Sequence, residues 1–141
     1  MESLLRPTSD AQVREGVAWA LSENKPMAVL GAGSKAPLGR PANLDATMNL
    51  ADLTGLVDYE PSELVLTALP GTPLEEINTR LQEQNQELAF EPPDLGPLLG
   101  TDPGASTLGG TIACNLSGPR RVRVGAARDH FLGMHAVNGR A

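Results

Sequence analysis

Two prolines, Pro37 and Pro41, stand just after the segment Gly31-Ala32-Gly33-Ser34-Lys35 and constrain the fold of this 141-residue chain more than any other feature. The apolar run Met27 to Leu30 followed by G-x-G-x-x-A has the letter of a dinucleotide-binding fingerprint. In that fingerprint the glycine turn must feed directly into a helix whose N-terminus holds the pyrophosphate. Each proline removes a backbone donor and pushes the residue before it out of the α region, and Gly39 between them lowers helix propensity further. The segment is therefore expected to remain a loop at the C-terminal end of a short strand. Its backbone N–H groups can still converge on an anion without a helix behind them. The residues alone leave an ordinary Gly-rich turn equally open.

The length suits about one domain with a reasonable core, and 40% of the residues are apolar. Only four residues are aromatic (Trp19, Tyr59, Phe90 and Phe131), which argues against a stacking surface for single-stranded nucleic acid. A net charge of −6 argues against a uniform phosphate-backbone binder. The charge is segregated: up to Gly118 there are 6 basic and 16 acidic residues, whereas five arginines and a single acid follow from Pro119 onward. Arg120, Arg121, Arg123 and Arg128 can line an anion site or a partner surface, with a solvated basic turn the commoner outcome. No apolar h-region follows Met1 and no run approaches the ~18 apolar residues of a membrane span. The chain is accordingly expected in the cytoplasm, with any membrane association peripheral and made through partners. Cys114 is the only cysteine, so neither an internal disulfide nor a cysteine metal cluster is expected, and it reads as a small core residue. His130 and His135 lie five apart in a strand-like segment and face opposite sides, so neither reads as a metal ligand.

Ser9, with Gln12 three residues on, carries a capping-box signature, and Val13, Val17, Ala20 and Leu21 follow at helical spacing. The pattern predicts a helix from Ser9 to Asn24, stopped by Pro26. Met27 to Leu30 is a short buried strand, and Ala46 to Leu50, Leu56 to Tyr59 and Leu64 to Ala68 read as further strands, the last closed by a turn at Pro70-Gly71. Thr72-Pro73-Leu74-Glu75 predicts a second helix, to Asn85, with Thr72 as N-cap, Pro73 at the first helical position and Glu75 completing a capping box. Leu74, Ile77 and Leu81 place one apolar stripe on it. Leu88-Ala89-Phe90 reads as a short strand, and Pro92-Pro93 opens a Gly/Pro-rich stretch that reads as an ordered functional loop or a linker. Phe131 to Val137 reads as a strand ahead of an Asn138-Gly139 hairpin turn whose return strand is missing, as expected for the first part of a longer domain. The expected architecture is α+β: a small strand layer covered by the two helices in residues 1–106, then the incomplete start of a second, mainly antiparallel subdomain in residues 107–141.

The order of these pieces, with the GAGSK loop, the Thr107-Leu108-Gly109-Gly110 motif, LSGPRR (116–121) and RDHFLGMHAVNGR (128–140), resembles the FAD-binding domain of the vanillyl-alcohol-oxidase or PCMH type. That family also serves FAD-linked D-lactate and D-2-hydroxyacid dehydrogenases, and within it the chain is most similar to the FAD-binding subunits of glycolate oxidases. The resemblance covers essentially the whole chain but somewhat under half of such a subunit.

What it implies agrees with the chemistry of a dianionic pyrophosphate, which needs convergent N–H donors and a backbone free of side chains at close approach. Gly31, Ala32, Gly33, Ser34 and Lys35 would form the first pyrophosphate loop, and Thr107, Gly109, Gly110 and Thr111 the second. Gly110 would open a short helix through Ala113 and Cys114, with its N-terminus toward the cofactor. Asn115, Ser117 and Gly118 would continue the wall near the flavin, and Gly125 and Asp129 would mark the entry to the next strand. Where some members attach the flavin through a histidine, this chain has Gly33, so non-covalent FAD is implied. The resemblance further implies a complex oxidising glycolate or a related 2-hydroxy acid, with a related flavoprotein subunit and an iron–sulfur subunit as partners. It names no catalytic residue here: Asp94 and Asp129 are the only acids near the cofactor loops, and neither has a sequence neighbour that would tune it as a base. The competing readings are a truncated interaction module or fragment that binds no flavin on its own and, against the prolines, a Rossmann enzyme, which would require a helix beginning at Ser34; half of a shared site is expected to bind weakly and to be inactive alone.

Overall fold

A computed structural model describes residues 3–140. Three short strands, β1 (Ser3–Leu5), β2 (Met27–Leu30) and β3 (Ala46–Asn49), form a parallel sheet in the order β1-β3-β2. The central strand pairs Ala46 with both Ser3 and Met27, and Met48 with both Leu5 and Val29. A parallel connection needs a crossover, and α1 (Asp10–Ser22) supplies it between β1 and β2. Ser9 caps α1 as expected, its Oγ accepting from Gln12 N at 3.3 Å. The Gln12 carboxamide reaches one residue further back than a capping box predicts and accepts from Thr8 N at 2.7 Å.

α1 lies on the sheet through its small residues. Gly16 and Ala20 are buried, and a Cβ on Gly16 would stand 2.5 Å from Cε of Met48, itself buried on β3. Val13 and Val17 are half-buried, whereas Leu21, expected on the apolar face, is 53% exposed. The helix ends at Ser22, two residues before the expected boundary, and Asn24 takes a left-handed conformation (φ 51°) ahead of Pro26. β1 carried no signal in the sequence reading, because three residues are too few to display an alternating pattern.

Strands β4 (Leu56–Glu60) and β5 (Val65–Ala68) form a separate antiparallel hairpin with an irregular register between Leu56 and Asp58. The expected single layer is thus two small sheets, each with its own helix. α2 (Leu74–Gln82) buries Leu74, Ile77 and Leu81, the predicted stripe, against Tyr59, Leu66 and Ala68 of the hairpin and against Leu88 and Leu108. Tyr59 donates to Gln86 Oε1 at 2.8 Å, and Gln86 donates to the Pro61 carbonyl at 2.8 Å, tying the helix exit to the hairpin.

The beginning of α2 corrects the sequence reading. The helix starts at Leu74, Pro73 occupies the N-cap position, and no side chain caps it. Thr72 is fully buried and its hydroxyl is held elsewhere: it accepts from Gly55 N at 3.0 Å and lies 2.7 Å from the Leu69 carbonyl and 3.1 Å from the Gly55 carbonyl. The first-turn donor at Leu74 instead meets the Ser106 carbonyl at 2.9 Å, beside an antiparallel bridge between Pro73 and Thr107. A carbonyl 32 positions downstream has taken over the capping of this helix, which satisfies an orphan N–H as well as a side chain does. The helix also stops at Gln82 rather than Asn85, which is left-handed at φ 54°.

Three further expectations give way. Residues 88–90 form a turn rather than a strand. Phe131 to Val137 is irregular, since no strand among the described residues pairs with it and a lone strand has no ladder to satisfy its backbone. At its end a local side-chain turn stands in place of the expected Asn138-Gly139 hairpin turn, with Arg140 N donating to Asn138 Oδ1 at 2.8 Å and no paired strand before it among the described residues. Asp129 lies in a 3₁₀ turn (Ala127–His130), not at the entry to a strand. The remaining segments are the four-residue α3 (Gly96–Leu99), α4 (Leu108–Ala113) and α5 (Arg121–Val124).

Candidate functional site

β2 delivers the GAGSK loop at its C-terminal end, and no helix follows it. Ala36 N donates to the Gly33 carbonyl at 2.9 Å and Leu38 N to the Lys35 carbonyl at 3.0 Å, which makes successive turns through the proline-bearing stretch. Gly33 is left-handed (φ 74°), and a Cβ added there would meet nothing within 4 Å. Within the described residues, no hydrogen bond of the fold uses the N–H groups of Ala32, Gly33, Ser34 or Lys35. These are four consecutive backbone donors around a glycine, the arrangement that makes an anion-binding concavity.

The second glycine segment packs directly onto the first. A Cβ on Gly31 would overlap Oγ1 of Thr107, so the two backbones approach as closely as a missing side chain permits. A Cβ on Gly110 would lie 3.2 Å from that hydroxyl and 3.8 Å from Lys35 Nζ. Ser34 and Thr107 are buried, and Lys35 Nζ reaches Oγ of Ser34 and of Ser106, both at 3.4 Å. Among the described residues Lys35 forms no ion pair with a carboxylate. A lysine ammonium, a run of uncommitted amides and a glycine floor therefore come together from segments more than 70 residues apart. That donor set fits a pyrophosphate.

The two segments differ in what their own amides do. α4 opens at Leu108, two residues before the expected start at Gly110, with Thr107 as N-cap accepting from Gly110 N at 3.3 Å. Leu108 N donates to the Thr72 carbonyl, Gly109 N to the Pro70 carbonyl, and Thr111 N to the Thr107 carbonyl, all between 2.9 and 3.0 Å. The first-turn amides of α4, expected to face a cofactor, are thus bonded within the fold. Gly109 has no room for a side chain, since a Cβ would stand 2.7 Å from Pro70 Cβ and 2.9 Å from its carbonyl oxygen. Thr111 is fully buried, and its Oγ1 has no hydrogen-bond partner in the fold.

The other predicted residues gather at the far end of α4. Asn115, left-handed at φ 48°, accepts on Oδ1 from Arg128 N at 3.0 Å. Ser117 Oγ accepts from Ala127 N at 2.9 Å and donates to the Asn115 carbonyl at 3.2 Å. Asp129 Oδ2 accepts from Ala126 N at 2.8 Å, and Gly118 N donates to the Phe90 carbonyl at 2.8 Å. These side chains hold the 126–129 turn against the end of α4. Cys114 is exposed at the C-cap of that helix, not in the core, because the buried face of α4 is carried by Thr111. Arg120, one of the basic candidates, is engaged by Glu87 at 2.6 Å and Glu91 at 2.9 Å, while Arg121 and Arg123 stand exposed on α5. His130 bonds through Nε2 to the Val124 carbonyl at 2.8 Å and tilts against the Phe90 ring.

Sequence reasoning missed Ser106 and Thr101 as participants. Ser106 touches Lys35, and Thr101 Oγ1 donates to the Ser34 carbonyl at 3.4 Å. Neither sits in a recognisable motif beyond its nearness to the Thr107 segment. Asp94 accepts from Gly96 N at 3.0 Å and Gly104 N at 2.8 Å, and these bonds, ahead of the Lys35 charge, hold its carboxyl below the ordinary range. An acid held this way is a structural acceptor and a poor proton abstractor.

A strand-borne glycine loop packed on a second Thr-Leu-Gly-Gly segment, in an α+β frame of the PCMH type, defines a flavin-binding domain. The chain belongs to the FAD binding domain family, whose model matches residues 1–141, and FAD is its cofactor. It is 41% identical over 125 residues to the glycolate oxidase subunit GlcE of Escherichia coli (strain K12), a match covering 89% of this chain and 33% of that protein. It is also 29% identical over 136 residues to D-2-hydroxyglutarate dehydrogenase of Xanthomonas citri pv. viticola, covering 94% and 27% respectively. Among solved structures, alkyldihydroxyacetonephosphate synthase shares the fold with a TM-score of 0.68 at 21% identity, over 89% of this chain and 24% of that one. The chain thus spans about a third or less of the length of the curated relatives it matches. Among the described residues no helix is long and apolar enough to cross a membrane.

Proposed function

We propose that this chain is the FAD-binding segment of a glycolate-oxidase-type subunit, acting in a complex that oxidises glycolate or a related 2-hydroxy acid. The observation that carries the reading is the close packing of the GAGSK loop on Thr107 and Gly110, with Lys35 and four uncommitted amides at the junction. Gly31, Ala32, Gly33, Ser34 and Lys35 would hold the pyrophosphate. Thr107, Gly109, Gly110 and Thr111 would supply the glycine-lined floor that lets it approach, rather than most of the donors. Asn115, Ser117, Gly118 and Asp129 would shape the wall beyond α4 by fixing the 126–129 turn. Residues 1–106 and 107–141 would then belong to the two subdomains on either side of the cofactor.

When bound, the flavin accepts the electrons of hydroxy-acid oxidation, and the protein positions and tunes it. Gly33 offers no covalent attachment point, so FAD would be dissociable. Asp94 and Asp129 are both occupied as acceptors of backbone amides, which leaves the proton-abstracting group to residues outside this site. A related flavoprotein subunit and an iron–sulfur subunit would complete the electron path.

Titration of the purified chain with FAD, followed by flavin fluorescence, tests the reading. Saturable binding is expected, with loss on Gly110→Asp, which sets a carboxylate beside Lys35 where a Cβ already lies 3.8 Å from the ammonium. Absence of binding, or binding indifferent to that substitution, overturns it in favour of a module that carries no flavin.

A further inference from the structure

The stretch from Pro92 to Ser106 has little regular structure beyond the four residues of α3, yet it makes two contacts with the first glycine loop and one with the start of α2. Thr101 Oγ1 donates to the Ser34 carbonyl, Ser106 Oγ meets Lys35 Nζ, and the Ser106 carbonyl receives Leu74 N at the start of α2. A Gly/Pro-rich segment of this length has much conformational freedom to lose, so something must close it. Asp94 does so. Its two carboxylate oxygens each take a backbone amide, Gly96 N on Oδ1 and Gly104 N on Oδ2, which pinches the neck of the loop between residues 94 and 104. Gly96 is buried at that neck, where a Cβ would stand 2.6 Å from the Asp102 carbonyl oxygen. Gly104 is left-handed at φ 75°, a conformation that favours glycine. Bonds from two amides to one ionised carboxylate are the strong, charge-assisted kind. Among the described residues Lys35 pairs with no carboxylate, so its ammonium stays available to an anion.

We propose that Asp94 is a positioning residue for the pyrophosphate site: by clamping the 94–104 loop it presents Thr101 and Ser106 to the first glycine loop and fixes Ser34 and Lys35 in their binding geometry. The inference rests on the flavin reading and adds a residue that touches neither cofactor nor substrate. Asp94→Asn keeps the shape of the side chain, but its amide group opposes one of the two backbone donors, so the neck loses a bond without a change in side-chain size.

FAD and riboflavin are titrated side by side against the chain, its Asp94→Asn form and Thr101→Val, which breaks the loop's contact with Ser34 without altering Asp94. Because the clamp acts only on the pyrophosphate end, Asp94→Asn should weaken FAD by about tenfold, the scale of a lost charge-assisted bond. Riboflavin, which has no pyrophosphate, should be unaffected. Thr101→Val should move FAD in the same direction by less, and amide hydrogen exchange should rise at Ala36 and Leu38, whose amides close the turns of the first glycine loop, as well as at 96–104 in Asp94→Asn. Equal loss of both ligands, unchanged FAD affinity in Asp94→Asn, or faster exchange confined to 96–104 would each overturn the proposal while leaving the flavin reading intact. Failure of the parent chain to bind FAD overturns both. If Asp94→Asn unfolds, Thr101→Val decides, and FAD binding equal to the parent would reject the clamp.

Discussion

Gly31 and Thr107 approach so closely that a Cβ on the glycine would overlap the threonine hydroxyl, the same hydroxyl that caps α4 by accepting from Gly110 N. The packing of two glycine segments thus converges on a single oxygen atom. Gly31→Ala is expected to destabilise the chain by about 1–3 kcal/mol, the usual cost of forcing extra volume into a packed contact. Thr107→Ala removes the obstructing atom at the cost of about 1 kcal/mol for the lost cap. The double substitution should therefore be less destabilised than the two singles together. Urea denaturation of the four proteins measures this, and strict additivity would mean that the two residues do not meet.

Thr72 gives a prediction that separates its two readings. As an N-cap it would tolerate serine or asparagine and lose about 1 kcal/mol to alanine. Fully buried and bonded to Gly55 and Leu69, it should tolerate serine, but Thr72→Val should cost about 1–3 kcal/mol by leaving the Gly55 amide without a partner. Thr72→Asn should be worse still, because the larger side chain has no space. Thermal melts of the three variants distinguish these outcomes.

The pH dependence of the Asp94 clamp follows from its lowered pKa. A carboxylate whose folded pKa lies below its ordinary 3.8 contributes stability that is fully present above 3.8 and is lost as pH falls through the lower folded value. The stability difference between the parent chain and Asp94→Asn should thus be flat from neutral pH down to the region of that ordinary value and shrink below it. Denaturation midpoints across an acid series check this, and a difference that changes between pH 6 and 8 would assign the effect to another group.

Cys114 should react in the native state. It is exposed at the end of α4, so a thiol reagent is expected to modify the folded chain to one equivalent at a rate close to that in denaturant. Marked protection would place it in the core, as composition alone suggested.

What could be read without a structure was local. Ser9 announces α1, and Pro37 and Pro41 forbid a helix after the glycine loop. The stripe Leu74-Ile77-Leu81 marks the buried face of α2. Each of these follows from the stereochemistry or spacing of neighbours a few positions apart, which a sequence displays directly. The family resemblance likewise rested on short glycine segments, legible because a close backbone approach tolerates no other residue.

Tertiary structure decided where distant polar groups find partners. The Ser106 carbonyl caps α2 in place of Thr72, the amides of α4 turn to Thr72 and Pro70, and Asp94 binds the neck of a loop through Gly96 N and Gly104 N. The strand expected at 131–137 is not formed for the same reason, since pairing belongs to two segments and no partner stands beside it among the described residues. Every buried amide and carbonyl must be satisfied, and any of several groups can do it. Local spacing therefore marked α1, the buried stripe of α2 and the loop after Leu30, while only the assembled chain determined which donors remain for an anion.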